Sequence, residues 1–132
     1  MKAPMRFVLA SAVMAAVTAA LFAAAPAATA RSDDVIARGT CTGSSRWRLE
    51  LSTAPGGKIE VDYKVFSAVG QTWRVVDRHN GVVFFRGRRV SHDSPPHIEV
   101  DRFVRDLAGT DHFRARATNA ATGEVCAAVA SI

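Results

Sequence analysis

Lys58-Ile59-Glu60-Val61-Asp62-Tyr63-Lys64-Val65 alternates charged and apolar side chains without a break. In an extended chain successive side chains point to opposite faces. Ile59, Val61, Tyr63 and Val65 therefore share one face, and Lys58, Glu60, Asp62 and Lys64 share the other. A helix would scatter the same four apolar residues around its circumference. The stretch 58–66 reads as a half-buried strand, dry on one side and wet on the other.

The same pattern extends in both directions. Upstream, Ala54-Pro55-Gly56-Gly57 is a turn, and before it Trp47, Leu49 and Leu51 alternate with Arg46, Arg48 and Glu50. A short first strand at 35–42 carries Cys41. Downstream, strands at 72–78 and 82–90 flank His79-Asn80-Gly81. Another at 97–104 turns Ile98 and Val100 inward, while 103–109 reads equally as a strand end or one helical turn. Phe113, Ala115 and Ala117 then alternate with Arg114, Arg116 and Thr118. After a turn at 119–123, a last strand at 124–132 places Cys126, Ala128, Ala130 and Ile132 on one face. Nothing past residue 30 holds a helical period for long. The expected fold is all-β, an antiparallel β-sandwich of seven or eight short strands.

The 72–90 hairpin admits two registers. A two-residue Asn80-Gly81 turn with uninterrupted pairing sets Asp77 against Phe84 and Val75 against Arg86, mixing apolar and charged groups on each face. A three-residue loop with Gly81 left-handed and a bulge beside it pairs Asp77 with Val83, Val75 with Phe85, and Trp73 with Gly87. Trp73, Val75, Val83 and Phe85 then form a core face, with the Trp73 ring over the bare Gly87. Arg74, Arg78, Arg86 and Arg88 surround Val76 and Phe84 on the other face. Segregation of the core favours the second register.

The chain has 132 residues, and the first 30 read as a secretory signal. Lys2 and Arg6 precede an uncharged, alanine-rich run from Phe7 to Ala25. Pro26 follows, then Ala28-Thr29-Ala30, a small-residue site for cleavage before Arg31. The alternative is an uncleaved signal helix acting as a membrane anchor. The overall hydrophobic content of 48% is inflated by this leader; residues 31–132 are about 40% hydrophobic, ordinary for one globular domain. That length excludes a TIM barrel or a full dinucleotide-binding fold. The net charge of +5 falls slightly when Lys2 and Arg6 are removed, and Lys58 and Lys64 are then the remaining lysines. Such a modest excess does not call for nucleic acid. In an exported chain the two cysteines, Cys41 and Cys126, are expected to form one disulfide joining the start of the domain to its end. Their separation, with no C-x-x-C, argues against a thiol metal or redox site.

Several blocks together resemble a group of small secreted β-sandwich proteins from high-GC bacteria. They are Ala37 through Ser45 with Trp47, Thr72-Trp73-Arg74-Val75, Asn80-Gly81 through Gly87, and Ala117-Thr118-Asn119 with Thr122 through Cys126. The resemblance covers nearly all of 31–132. It implies an immunoglobulin- or fibronectin-III-like sandwich with one disulfide, and it carries no activity. Trp47 follows Cys41 too closely to be an immunoglobulin core tryptophan, so the bridge is expected to tie edge strands or termini.

Three constellations could carry chemistry. His92-Asp93 with His97, and Asp111-His112, invite a metal or enzymatic reading, but their spacing matches no metal motif, and Ser91 and Ser94 sit on no nucleophile elbow. His79, in a turn, is expected to be exposed. The loop at 91–96, stiffened by Pro95-Pro96, could present itself to a protease as an inhibitor. Trp47 and Trp73 could form a sugar-stacking platform only by leaving the core. The remaining candidate is an interaction surface of Arg74, Val76, Arg78, Phe84, Arg86 and Arg88, a composition favoured at interfaces and suited to an anionic polymer or an envelope protein. Its bland counterpart is a solvated face whose arginines pair with Glu60 and Asp62. The sequence thus predicts a secreted, non-enzymatic binding module without cofactor, extracellular or at the cell envelope, touching membrane only if the leader is retained.

Overall fold

The computed structural model describes residues 34–132. The expected leader, its cleavage site and the start at Arg31 lie outside the described residues. Eight strands follow one another: β1 (Val35–Thr40), β2 (Arg46–Ala54), β3 (Lys58–Phe66), β4 (Thr72–His79), β5 (Val82–Val90), β6 (His97–Arg105), β7 (His112–Asn119) and β8 (Val125–Ser131). They form two four-stranded antiparallel sheets, ordered β1-β2-β3-β6 and β5-β4-β7-β8. Among the described residues no helix is long and apolar enough to cross a membrane; the ambiguous stretch at 103–109 ends β6 and enters a bend.

The alternation explains the layering. Leu49 and Leu51 of β2, Ile59 to Val65 of β3, and Ile98 and Val100 of β6 meet Trp73 and Val75 of β4, Phe113 to Ala117 of β7, and Cys126 and Ala128 of β8 in one buried core. The chain changes sheet after β3, β5 and β6. This pairs β3 with β6 on one side and β4 with β7 on the other, the central pairings of an immunoglobulin-type sandwich. Polar groups in the core are placed at its margins. Trp73 Nε1 donates to Ser67 Oγ at 3.2 Å, and the buried Tyr63 hydroxyl donates to the Cys126 carbonyl at 2.9 Å.

Cys41 and Cys126 are bonded across a sequence separation of 85. The bridge joins the segment after β1 to β8, not the two central strands. Around it, Thr42 N donates to Val125 O at 2.9 Å, and Ser45 N to Glu124 Oε1 at 2.8 Å. The expected tie between edge strands is therefore present, reinforced by hydrogen bonds from both sheets.

The β4–β5 hairpin departs from the expected register. Asn80 (φ 47°) and Gly81 (φ 83°) form a two-residue turn, with His79 opposite Val82 and Arg78 opposite Val83. The register then slips by one, so that Asp77 faces Phe85, Val75 faces Gly87, and Trp73 faces Arg89. A bulge at Phe84 absorbs the residue that the three-residue loop was expected to absorb. Two consequences follow. Phe84 turns into the sandwich, its ring edge-on to Phe113 at 6.2 Å, while Val83 is exposed. The ring over the bare Gly87 is that of Phe85, not Trp73. Both positive-φ turn positions suit the Asn-Gly dipeptide, and an inserted residue in the strand restores segregation of the faces.

Gly39 lies opposite Trp47 across β1 and β2. A Cβ there would sit 2.5–2.8 Å from three atoms of the indole ring. Gly39→Val is expected to lower stability by about 1–3 kcal/mol through overpacking, measurable by urea unfolding. Unchanged stability would mean that the half-buried ring swings clear.

Candidate arginine-rich site

Each expected site residue can now be placed. On β4, Arg74, Val76 and Arg78 point away from the core, and on β5 so do Arg86 and Arg88. Phe84 does not join them; the bulge has taken it inward. In its place Val83 stands beside Arg78.

Two residues join the face that local reading left out. β7 pairs with β4 so that Arg116 lies opposite Val76 and Arg114 opposite Arg78. The alternation Phe113-Arg114-Ala115-Arg116 was visible in sequence, but only the long-range pairing of β7 with β4 brings it beside Arg74 and Arg78. The outer face of the second sheet thus carries Arg74, Arg78, Arg86, Arg88, Arg114 and Arg116, with Val76, Val83, Thr118, Ala127 and Val129 between and beside them.

No acidic side chain points outward from this sheet. Its one acid, Asp77, faces the core. Glu60 and Asp62, the expected partners of the arginines, lie on β3 of the other sheet, opposite Phe103 and Asp101. That sheet's outer face is mixed: Lys64 binds Asp62 at 2.8 Å and Glu99 at 2.9 Å, and Arg48 pairs with Glu50. Among the described residues, none of the six arginines makes an ion pair. Arg74 directly faces Arg88, and Arg78 directly faces Arg114. Like charges placed opposite one another in a sheet are destabilising.

The other constellations resolve differently. His79 is buried, not exposed: it is the last paired residue before the turn, stacks on Phe113 with ring centroids 4.5 Å apart, and hydrogen-bonds Asp111. Asp111 also accepts from Asn80 Nδ2 at 3.2 Å and from Leu107 N at 3.3 Å. It therefore anchors the β6–β7 corner and is separated from His92 and His97. His112 contacts Ser131 Oγ at 2.7 Å through Nδ1. His92 pairs with the neighbouring Asp93 at 2.8 Å. Among the described residues no group of three or more His, Cys, Asp or Glu is placed to hold a metal ion.

The loop at 91–96 is a closed hairpin. His92 and His97 exchange both backbone hydrogen bonds, at 2.9 and 3.1 Å, and Ser91 N donates to Gln71 O at 2.9 Å. Trp73 is fully buried, so it forms no sugar platform with Trp47. Trp47 lines a shallow depression of about 450 Å³ with Arg38, Arg46, Arg48, Phe66 and Pro95.

No family model, curated protein or solved structure matches the chain.

A second feature lies beneath the arginine face. The Asp77 carboxyl is buried and neither of its oxygens has a hydrogen-bond partner. Burial pushes its pKa up to about 7, against the weaker pulls of the Arg116 backbone N–H, which stops short of a full hydrogen bond, and of Arg102 and Arg89. Those two guanidiniums sit over the Phe85 ring, at 5.0 and 4.7 Å from its centroid. Arg89 also donates to the Glu99 carbonyl of β6 at 3.3 Å, so these side chains bridge the seam between β5 and β6.

Proposed function

We propose that the chain is a secreted, non-enzymatic binding module that holds an anionic polymer at the cell envelope or outside the cell through the outer face of its second sheet. The observation that supports this is the segregation of charge. Six arginines share one face with no acid, while the acids of the strands lie on the opposite face or in the core. The guanidiniums present planar donors to anionic oxygens. An array of this kind is unfavourable for the isolated fold, since two of its cross-strand pairs set like charge against like. A binding role accounts for it, because an anionic partner relieves that repulsion. The disulfide is in keeping with an oxidising compartment.

The test uses a resin carrying an acidic polymer. The protein should be retained at low salt and released as salt screens the contact, and Arg74→Ala with Arg86→Ala should elute earlier. Absence of retention at low salt would remove polyanion binding. A second readout separates function from fold. Arg114→Glu replaces a repelling neighbour of Arg78 by an attracting one. It is expected to raise stability by up to about 1 kcal/mol while weakening retention. A loss of both would identify the arginines as structural.

A further inference from the structure

The arginines are not scattered over their face; they form three rungs. Arg88 and Arg74 are cross-strand partners, Arg86 and Arg116 flank Val76, and Arg78 and Arg114 are cross-strand partners. Successive rungs are two residues apart along the strands, roughly 6.8 Å, and each offers two guanidiniums. We propose that this face binds an extended, ring-free phosphodiester polymer of the poly(glycerol phosphate) type, laid along the strands with one phosphate per rung. The inference rests on the polyanion reading above and adds the chemical class of the ligand.

Three observations carry it. The first is pitch. A glycerol phosphate repeat has the same number of backbone bonds as two residues of polypeptide, so an extended chain of it keeps step with the rungs. The second is the pairing within each rung. A carboxylate presents its oxygens in one plane, matched edge-on by one guanidinium fork, whereas a tetrahedral phosphodiester can take donors from two sides. Two arginines per anion suit phosphate. The third is what completes each rung: Thr118 beside Arg74, Val76 between Arg86 and Arg116, and Val83 beside Arg78, with no aromatic ring among them. Phe84 and Phe85, the nearest rings, pack on the core. Single-stranded nucleic acids depend on stacking platforms for much of their affinity, and the one outward ring among the described residues of this sheet is His112, at the end of β7 beyond the last rung. A ring-free polymer needs no such platform.

The test is isothermal titration of the wild-type domain with glycerol phosphate oligomers of increasing length. Charge-matched oligogalacturonate and oligothymidylate serve as comparisons. Affinity should rise on the order of tenfold per added phosphate until the three rungs are filled, and beyond that only with the number of ways the chain can sit. The matched carboxylate and nucleic-acid chains should bind more weakly than the glycerol phosphate trimer. Arg86→Gln with Arg116→Gln removes the middle rung and should abolish the advantage of two phosphates over one, because a two-phosphate chain spans adjacent rungs, while three phosphates still reach both outer rungs. Equal affinity for the matched carboxylate or nucleic-acid chains, or no break in the length series, would overturn the phosphodiester assignment and leave polyanion binding standing. Binding of none of the chains at low salt would overturn both.

Discussion

Replacing both Cys41 and Cys126 by alanine is expected to lower the free energy of unfolding by about 4–5 kcal/mol. The bridge spans a sequence separation of 85, nearly the whole described domain. On the chain-entropy account a link of that reach removes much of the freedom of the unfolded chain. A domain of this size has a total stability of roughly 5–15 kcal/mol, so the loss is a large share of it. Melting temperature should fall by about 20 °C or more. The hydrogen bonds around the bridge, Thr42 N to Val125 O and Ser45 N to Glu124 Oε1, remain available to the double variant and set what survives. Denaturant unfolding of the oxidised and double-alanine proteins decides the matter. A loss below about 1 kcal/mol would show that those hydrogen bonds and the core already restrain the ends.

Asp77 supplies the second large effect, and it acts through pH. Its carboxyl, at 3.8 when freely solvated, is raised by burial to about 7 in the folded protein. Between these values the native state holds a proton that the unfolded state has released. The stabilisation from that proton is fully present below pH 3.8 and is lost as pH rises through 7. The whole window is worth up to about 4 kcal/mol, and the interval from pH 5 to pH 8 about 2.5–3 kcal/mol. The wild-type domain should therefore be less stable at pH 8 than at pH 5. Asp77→Val, which fills the same β4 position with an apolar, strand-favouring side chain, should flatten that dependence and be the more stable protein at pH 8. Chemical denaturation of both proteins at the two pH values tests this. A wild-type protein as stable at pH 8 as at pH 5 would mean that Arg89 or Arg102 reaches the carboxylate around Phe85.

Much of this architecture was legible in the alternation of side chains. In 58–66 it defined a strand and its two faces, and the same reasoning found the β2, β7 and β8 faces, because period-two patterning is local. Asn80-Gly81 forms the two-residue turn, the alternative less favoured in the sequence. What failed was the inference from mixed faces to a longer loop. The register slip sits instead within β5, at Phe84, where no proline or glycine marks it. The expected exposure of His79 followed from that error, since a residue in the loop is exposed and the last paired residue is not. The candidate site was incomplete for another reason. Arg114 and Arg116 were visible as outward residues of a strand, but their place beside Arg74 and Arg78 depends on a pairing between chain segments far apart in sequence. The same limit hid the separation of Glu60 and Asp62 from the arginines: which strands share a sheet is a property of topology, not of local pattern.

On the proposed function, binding belongs to the acid-free arginine face and not to net positive charge. Arg86→Gln with Arg116→Gln can be compared with Arg38→Gln with Arg105→Gln, an equal loss of charge from the outer face of the other sheet. The measurement is the salt dependence of affinity for a poly(glycerol phosphate) chain. Each phosphate contact contributes roughly 0.7 to the slope of log affinity against log salt for a flexible chain. The first variant should bind more weakly, with a slope shallower by about 0.7 for the one phosphate its rung holds, and the second should keep the affinity and slope of the wild type. Equal weakening by the two variants would contradict the account.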